Sequence, residues 1–245
     1  MNKVFKKLLL LVAAIPLLFV VSAITRAIFD NNDMLDSQIA VFTNLKNVSQ
    51  ADIEGVKKEA WKAINSIPPI LGIDYKKTTK INIVYNGICN AKEGIVSVPI
   101  SHVKDESAAI IHEVTHLIAK HKNNSFFSEG LAVYFQERFG GFHGFPNFSV
   151  PLDDLVKNHE NELMHIAKLK NDNDIFRQVG TERRRIAYIE AGSFFNFLVV
   201  KYGEKKLSDL HNSESLNYKT VYGKNIKELE VEWKNYALGN FLIKI

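Results

Sequence analysis

One helix-length stretch constrains this chain more than any other. Residues 108–118, Ala-Ala-Ile-Ile-His112-Glu113-Val-Thr115-His116-Leu-Ile, are apolar apart from two histidines, one glutamate and a threonine. A segment of that character belongs in a core, where a polar side chain without a partner is costly. Asp105 and Glu106 ahead of it, and Lys120, His121 and Asn123-Asn124 behind it, predict a helix over 105–121. On such a helix residues 112 and 116 stand one turn apart on the same face. The fold must therefore bring a partner to both imidazoles at once.

The pattern His-Glu-x-x-His lets both rings reach one Zn²⁺ at roughly 2.0–2.1 Å. Glu113 points about 100° round the helix from His112. There it flanks the metal without binding it and can take a proton from zinc-bound water. The candidate third ligand is Glu129, in Phe127-Ser128-Glu129-Gly130-Leu131-Ala132-Val133-Tyr134. The interval from His116 leaves room for a short turn and the start of an antiparallel helix. A Glu in the first turn suits the helix dipole, and Gly130 permits close backbone approach. A plain N-terminal capping carboxylate is the alternative reading of Glu129. Other donors fit less well. Lys122 and Ala119 stand where a metzincin needs His and Gly, and His121 projects away from the metal face. His143 falls in a loop, and His102, His159, His165 and His211 read as exposed or structural. The set is His112, His116 and Glu129 around one zinc per chain, with one position open to water.

His112-Glu113-x-x-His116 followed by Ser128-Glu129-Gly130-Leu131-Ala132-x-Tyr134 resembles the gluzincin metallopeptidases, in particular the compact peptidase MA-like group. The stretches 188–203 and 221–233 resemble that group's later helices, so the likeness covers about residues 50–238. It implies an α+β, thermolysin-like catalytic core: a small N-terminal sheet, an active-site helix, a glutamate helix, then a C-terminal helical lobe. It also implies a zinc-dependent endo- or aminopeptidase acting on peptide or protein substrates, with Glu113 as general base. Two departures stand out. Val133 occupies the position of an acid that orients a zinc histidine in thermolysin, leaving that role to Glu137 or to nothing. The interval to Glu129 is also shorter than in thermolysin, which puts the substrate preference in doubt.

Tyr188 is the candidate donor to the developing oxyanion; a core tyrosine is the competing reading. Arg183-Arg184-Arg185 either meet a substrate carboxylate or form a solvated basic turn. The loop 140–148, rich in Gly and Phe, is either a substrate lip or a partly buried connection. A second function class stays open: a non-catalytic, zinc-stabilised, membrane-tethered domain that binds a protein partner. Glu113 argues against it, since a purely structural site has no use for that carboxylate.

The remaining organisation follows from local signals. Lys3, Lys6 and Lys7 precede an apolar run over 8–24, which reads as a signal peptide or an N-terminal membrane anchor over 1–29. With the positive side in, the body lies outside the cytoplasm, either tethered or secreted after cleavage near Ala23. A polar linker is expected over 30–48 and the peptidase MA-like domain over 49–240. Ser49 should cap a helix over 50–66 that Pro68-Pro69 ends. Strands are expected over 80–85 and 94–99, and mostly helix beyond 121. The net charge of +4 rests largely on the leader lysines; the other basic residues nearly balance the 27 acids. A body so balanced has no footprint for nucleic acid. Cys89 is the single cysteine, so no disulfide forms within the chain, and its thiol reads as packing.

Overall fold

The computed structural model describes residues 38–120 and 124–239. It is an α+β fold with a small N-terminal mixed sheet followed by a helical region. The strands are β1 (Ile39–Phe42), β2 (Thr79–Val84), β3 (Asn90–Lys92) and β4 (Ile95–Pro99), in the order β1-β2-β4-β3. Strands β1, β2 and β4 run parallel, with Val41 opposite Ile81 and Ile81 opposite Val96. The short β3 adds antiparallel at the edge, Ala91 opposite Val96. Thr79, Ile81 and Ile83 of β2 and Val96 and Val98 of β4 are fully buried, the period-2 alternation of a sheet with one covered face. Strand β1 falls within the stretch 30–48 expected as a linker.

Helix α1 (Gln50–Leu71) starts as expected. Ser49 and Asp52 form a reciprocal capping box, the Ser49 N–H donating to the Asp52 carboxylate at 2.7 Å. It does not stop at Pro68-Pro69 but carries both prolines in its last turn. Ile67, Pro68 and Leu71 are buried there, and Gly72, at φ 65, closes the end. The Ile73 N–H donates to the Pro68 carbonyl at 2.9 Å. Burial of that turn outweighs the two backbone donors that proline removes.

The helix expected over 105–121 is also corrected. A short α2 (Ile100–Lys104) follows β4 directly, the chain turns at Glu106 with φ 50, and α3 runs only over Ile110–Ala119. The Ser107 N–H returns to the His102 carbonyl at 2.8 Å, and the Glu106 carbonyl accepts the His143 N–H at 2.7 Å. These bonds fix 105–109 as a turn, so its acids serve no helix terminus. Residue 121 lies outside the described residues.

The helical region comprises α4 (Ser125–Phe139), α5 (Leu152–Asn158), α6 (Ile166–Leu169), α7 (Glu182–Tyr202), α8 (Glu204–Asn212), α9 (Tyr218–Tyr222) and α10 (Ile226–Ala237). Helices α4 and α7 pack closely because Gly130 faces the Phe195 ring and Gly192 faces Val133. Ser193 on α7 donates to Asp153 at 2.7 Å and accepts the buried Trp233 indole N–H at 2.9 Å, joining α5, α7 and α10.

The expected membrane tether is corrected. Among the described residues no helix is long and apolar enough to cross a membrane. The two longest, α1 and α7, carry charges such as Lys57, Lys58 and Glu59, or Arg183, Arg184 and Arg185, along their length. The leader over 1–29 itself lies outside the described residues. The membrane partner and the extracytoplasmic location expected from it have no spanning helix among the described residues to support them.

Candidate metal centre

Helix α3 enters the core without a side-chain cap of its own, since Ala109 stands at its N-cap. The missing acceptor comes from α4. Gln136 takes the His112 backbone N–H on its amide oxygen at 3.0 Å, and its amide nitrogen donates to the Phe142 carbonyl at 2.9 Å. Thr115 satisfies its hydroxyl on the Ile111 carbonyl, 2.7 Å away. The two imidazoles of this apolar helix converge on one place.

That place is Glu129. Its Oε2 lies 3.1 Å from His112 Nε2 and 3.4 Å from His116 Nε2. The three ligand atoms all fall within 4.8 Å of one another. The two imidazoles meet edge to face, with centroids 4.8 Å apart and an 83° interplanar angle. Asn124 caps α4 by accepting the Phe127 N–H at 2.8 Å, so the capping role left open for Glu129 belongs to Asn124. Burial alone would raise the Glu129 carboxyl. The hydrogen bonds from His112 and His116 outweigh it and hold the group well below the usual carboxylate range. Burial disfavours a charged His116, but its bond to Glu129 prevails and raises it. The cluster is a carboxylate held against two imidazoles, three donors that one metal cation can bridge in place of the shared protons.

Glu113 is buried beside the cluster and takes no part in it. Burial raises its carboxyl, against the pull of His112 and His116, and it accepts the backbone N–H of Ala91 on edge strand β3. Tyr188 stacks on His112, centroids 6.0 Å apart. Burial keeps its phenol far above the usual range, and its hydroxyl bonds to Glu129 while accepting from Arg184 Nη2 at 2.9 Å.

These groups line one cavity of about 660 Å³. Its walls also carry Cys89, His102, Ser128, Phe145 and Arg184, and exposed Ile88, Phe148 and Val179 stand at its edge. Loop 140–148 divides between its two readings: Phe145 and Phe148 face the cavity, while the Gly141 N–H is tied to Glu59 at 2.9 Å. Cys89 Sγ sits 3.6 Å from His102 Nδ1, and burial pushes the thiol up to about 12. A thiol so placed stays protonated and packs.

No family model, curated protein or solved structure matches this chain. The centre therefore stands on its own geometry.

Some expected residues fall elsewhere. Glu137 accepts the Leu152 N–H at 3.1 Å and pairs with Asn147, and does not reach a histidine. Val133 packs over Gly192. His112 Nδ1 is accordingly buried with no hydrogen-bond partner among the described residues. His159 and His165 pair with Glu162 and Glu230, and His211 bonds the Ala119 carbonyl. Arg185 pairs with Glu182, and Arg183 is exposed. Gln136 was not foreseen. Its signal was a lone amide in an apolar run, seven residues after Glu129 and so on the same helix face.

Proposed function

We propose that this chain is a zinc-dependent metallopeptidase of gluzincin type, with a thermolysin-like core that begins at β1 and takes in the helical region. The convergence of His112 Nε2, His116 Nε2 and Glu129 Oε2 within 4.8 Å supports the reading, because two imidazoles and one carboxylate are a zinc donor set with a coordination position to spare. When bound, zinc supplies Lewis acidity and an activated water at neutral pH. Glu113 takes the proton of the attacking water on its carboxylate and passes it to the leaving amine. Its buried, raised carboxyl is suited to both halves of that transfer. Tyr188 is the neutral donor nearest the ligands, and burial keeps its proton available for the developing oxyanion. The cavity of about 660 Å³ leaves the centre open on one side, as a purely structural metal site would not be.

Metal content and turnover of a mixed peptide library test this together, with Glu113→Gln as the diagnostic variant. The variant should retain stoichiometric zinc and the fold and lose about 10²–10⁴ in rate. Hydrolysis by the variant at the wild-type rate, or a zinc-loaded wild-type chain that cleaves nothing in the library, overturns the reading.

A further inference from the structure

Arg184 stands apart among the described arginines. Arg138, Arg177 and Arg185 each sit within 4.0 Å of a carboxylate, from Glu204, Asp174 and Glu182. Arg183 is solvent-exposed. Arg184 is half-buried, lines the metal-site cavity, and has no carboxylate partner among the described residues. Its guanidinium is nevertheless held firmly. Nε donates to the Phe176 carbonyl at 2.8 Å and Nη2 to the Tyr188 hydroxyl at 2.9 Å. The plane lies over two aromatic rings, 4.5 Å from the Tyr188 centroid and 4.9 Å from that of Phe145. Aromatic faces and neutral acceptors orient a cation without neutralising it.

Two of the five N–H groups of the guanidinium are thus used. The end formed by Nη1 and the second Nη2 proton has no acceptor among the described residues. A half-buried fork in that state matches a carboxylate in two parallel hydrogen bonds. Tyr188 links it to the candidate ligands, since the same hydroxyl that accepts from Arg184 bonds to Glu129.

We propose that Arg184 anchors a substrate carboxylate, so that the cleft selects peptides carrying a free C-terminal carboxylate or an acidic side chain close to the bond presented at the metal. This rests on the peptidase reading and narrows it to a substrate class. Both sources share one chemistry, and amide partners separate them. A substrate pinned at one end by the fork and at the other by the metal holds its carbonyl in register for attack.

The test uses the full chain, zinc-loaded and carrying Glu113→Gln so that no peptide is consumed. Calorimetry measures binding of N-acetyl-Ala-Phe-Ala as acid and as amide, and of N-acetyl-Ala-Phe-Asp amide against its Asn counterpart. One of the two pairs should favour the carboxylate by at least about tenfold, as expected for a hydrogen bond to a charged group. Arg184→Gln should abolish that preference. Arg184→Lys, which keeps the charge but not the fork, should restore it only in part, with metal content and melting temperature confirming that both variants are folded. Equal binding of acid and amide in both pairs, failure of any acid to bind, or a preference unchanged in Arg184→Gln overturns the proposal. Arg184-dependent acid binding by a wild-type chain that hydrolyses nothing would support the anchor while removing the peptidase reading.

Discussion

The side-chain amide oxygen of Gln136 accepts the backbone N–H of His112 at 3.0 Å, so a residue of α4 caps the helix that carries both histidines. The first N–H groups of a helix have no partner within it, and here the partner is supplied from seven residues beyond Glu129. Gln136→Leu leaves that buried N–H unpaired and frees the Phe142 carbonyl. We expect a loss of about 1–3 kcal/mol in urea denaturation, together with weaker metal binding because His112 loses its anchor. A variant as stable as wild type with unchanged metal affinity would show that the bond contributes nothing.

Glu129→Ala removes the acceptor shared by His112 Nε2 and His116 Nε2. Zinc affinity should fall by more than the roughly 10–100-fold typical of losing a partner one layer further out, measured by competition with a chromophoric chelator. Because Asn124 already caps α4, helix stability should change little. Zinc retained at wild-type affinity would exclude Glu129 from the ligand set.

The sequence made much of this centre legible, for a simple reason. His112, Glu113 and His116 lie within two turns of one helix, and Glu129 follows across a short connection, so local periodicity places them. The start of α3 was not legible. The Glu106 carbonyl is taken by the His143 N–H, from a loop distant in sequence, and this holds 105–109 out of the helix. Nor were β1 and β3, which are only a few residues long and owe their existence to their sheet neighbours. Pro68 and Pro69 misled because tertiary burial overrode a local breaker. Gln136 and Arg184 acquire their roles only through contacts across helices and loops, which no single-segment pattern encodes.

Glu190 should give the protein a pH-dependent stability. Burial pushes its carboxyl up to about 8, against the Met164 N–H that it accepts and the charge of Lys234, while Glu230 pushes it further up. Its Oε2 is buried without a partner among the described residues, as suits a protonated acid. The folded state therefore holds this proton more tightly than the unfolded chain does. The linked stability is complete below about pH 4.5 and is lost as pH rises through about 8. Glu190→Gln should overtake wild type in urea midpoint above pH 8 and lose that advantage near pH 4.5. Parallel midpoints for the two proteins across this range would refute the assignment.

Gly130 is one of two glycines that let α4 and α7 approach closely. A Cβ there would stand 2.5 Å from the Phe195 ring and 3.1 Å from the Ala191 carbonyl. Gly130→Val should cost about 1–3 kcal/mol by overpacking. It should also weaken metal binding, because the displaced residue is the neighbour of Glu129. Thermal melts with and without zinc separate the two effects, and a melt unchanged from wild type would contradict the packing.

Strand β1 has a practical consequence for anyone shortening this protein. It covers one side of β2 along the register Ile39–Thr79 to Phe42–Asn82, and Thr43 extends the cover by donating to the Ile83 carbonyl at 2.9 Å. A chain begun at residue 49 would keep His112, His116 and Glu129 and the whole of α1. It would also strip β2 of that neighbour, leaving a strand with Ile81 and Ile83 on its buried face and an open row of amides and carbonyls along its edge. Such a row recruits strands from other molecules. Trimming to the conspicuous motif would yield a species prone to self-association, and a dependable expression boundary lies upstream of Ile39.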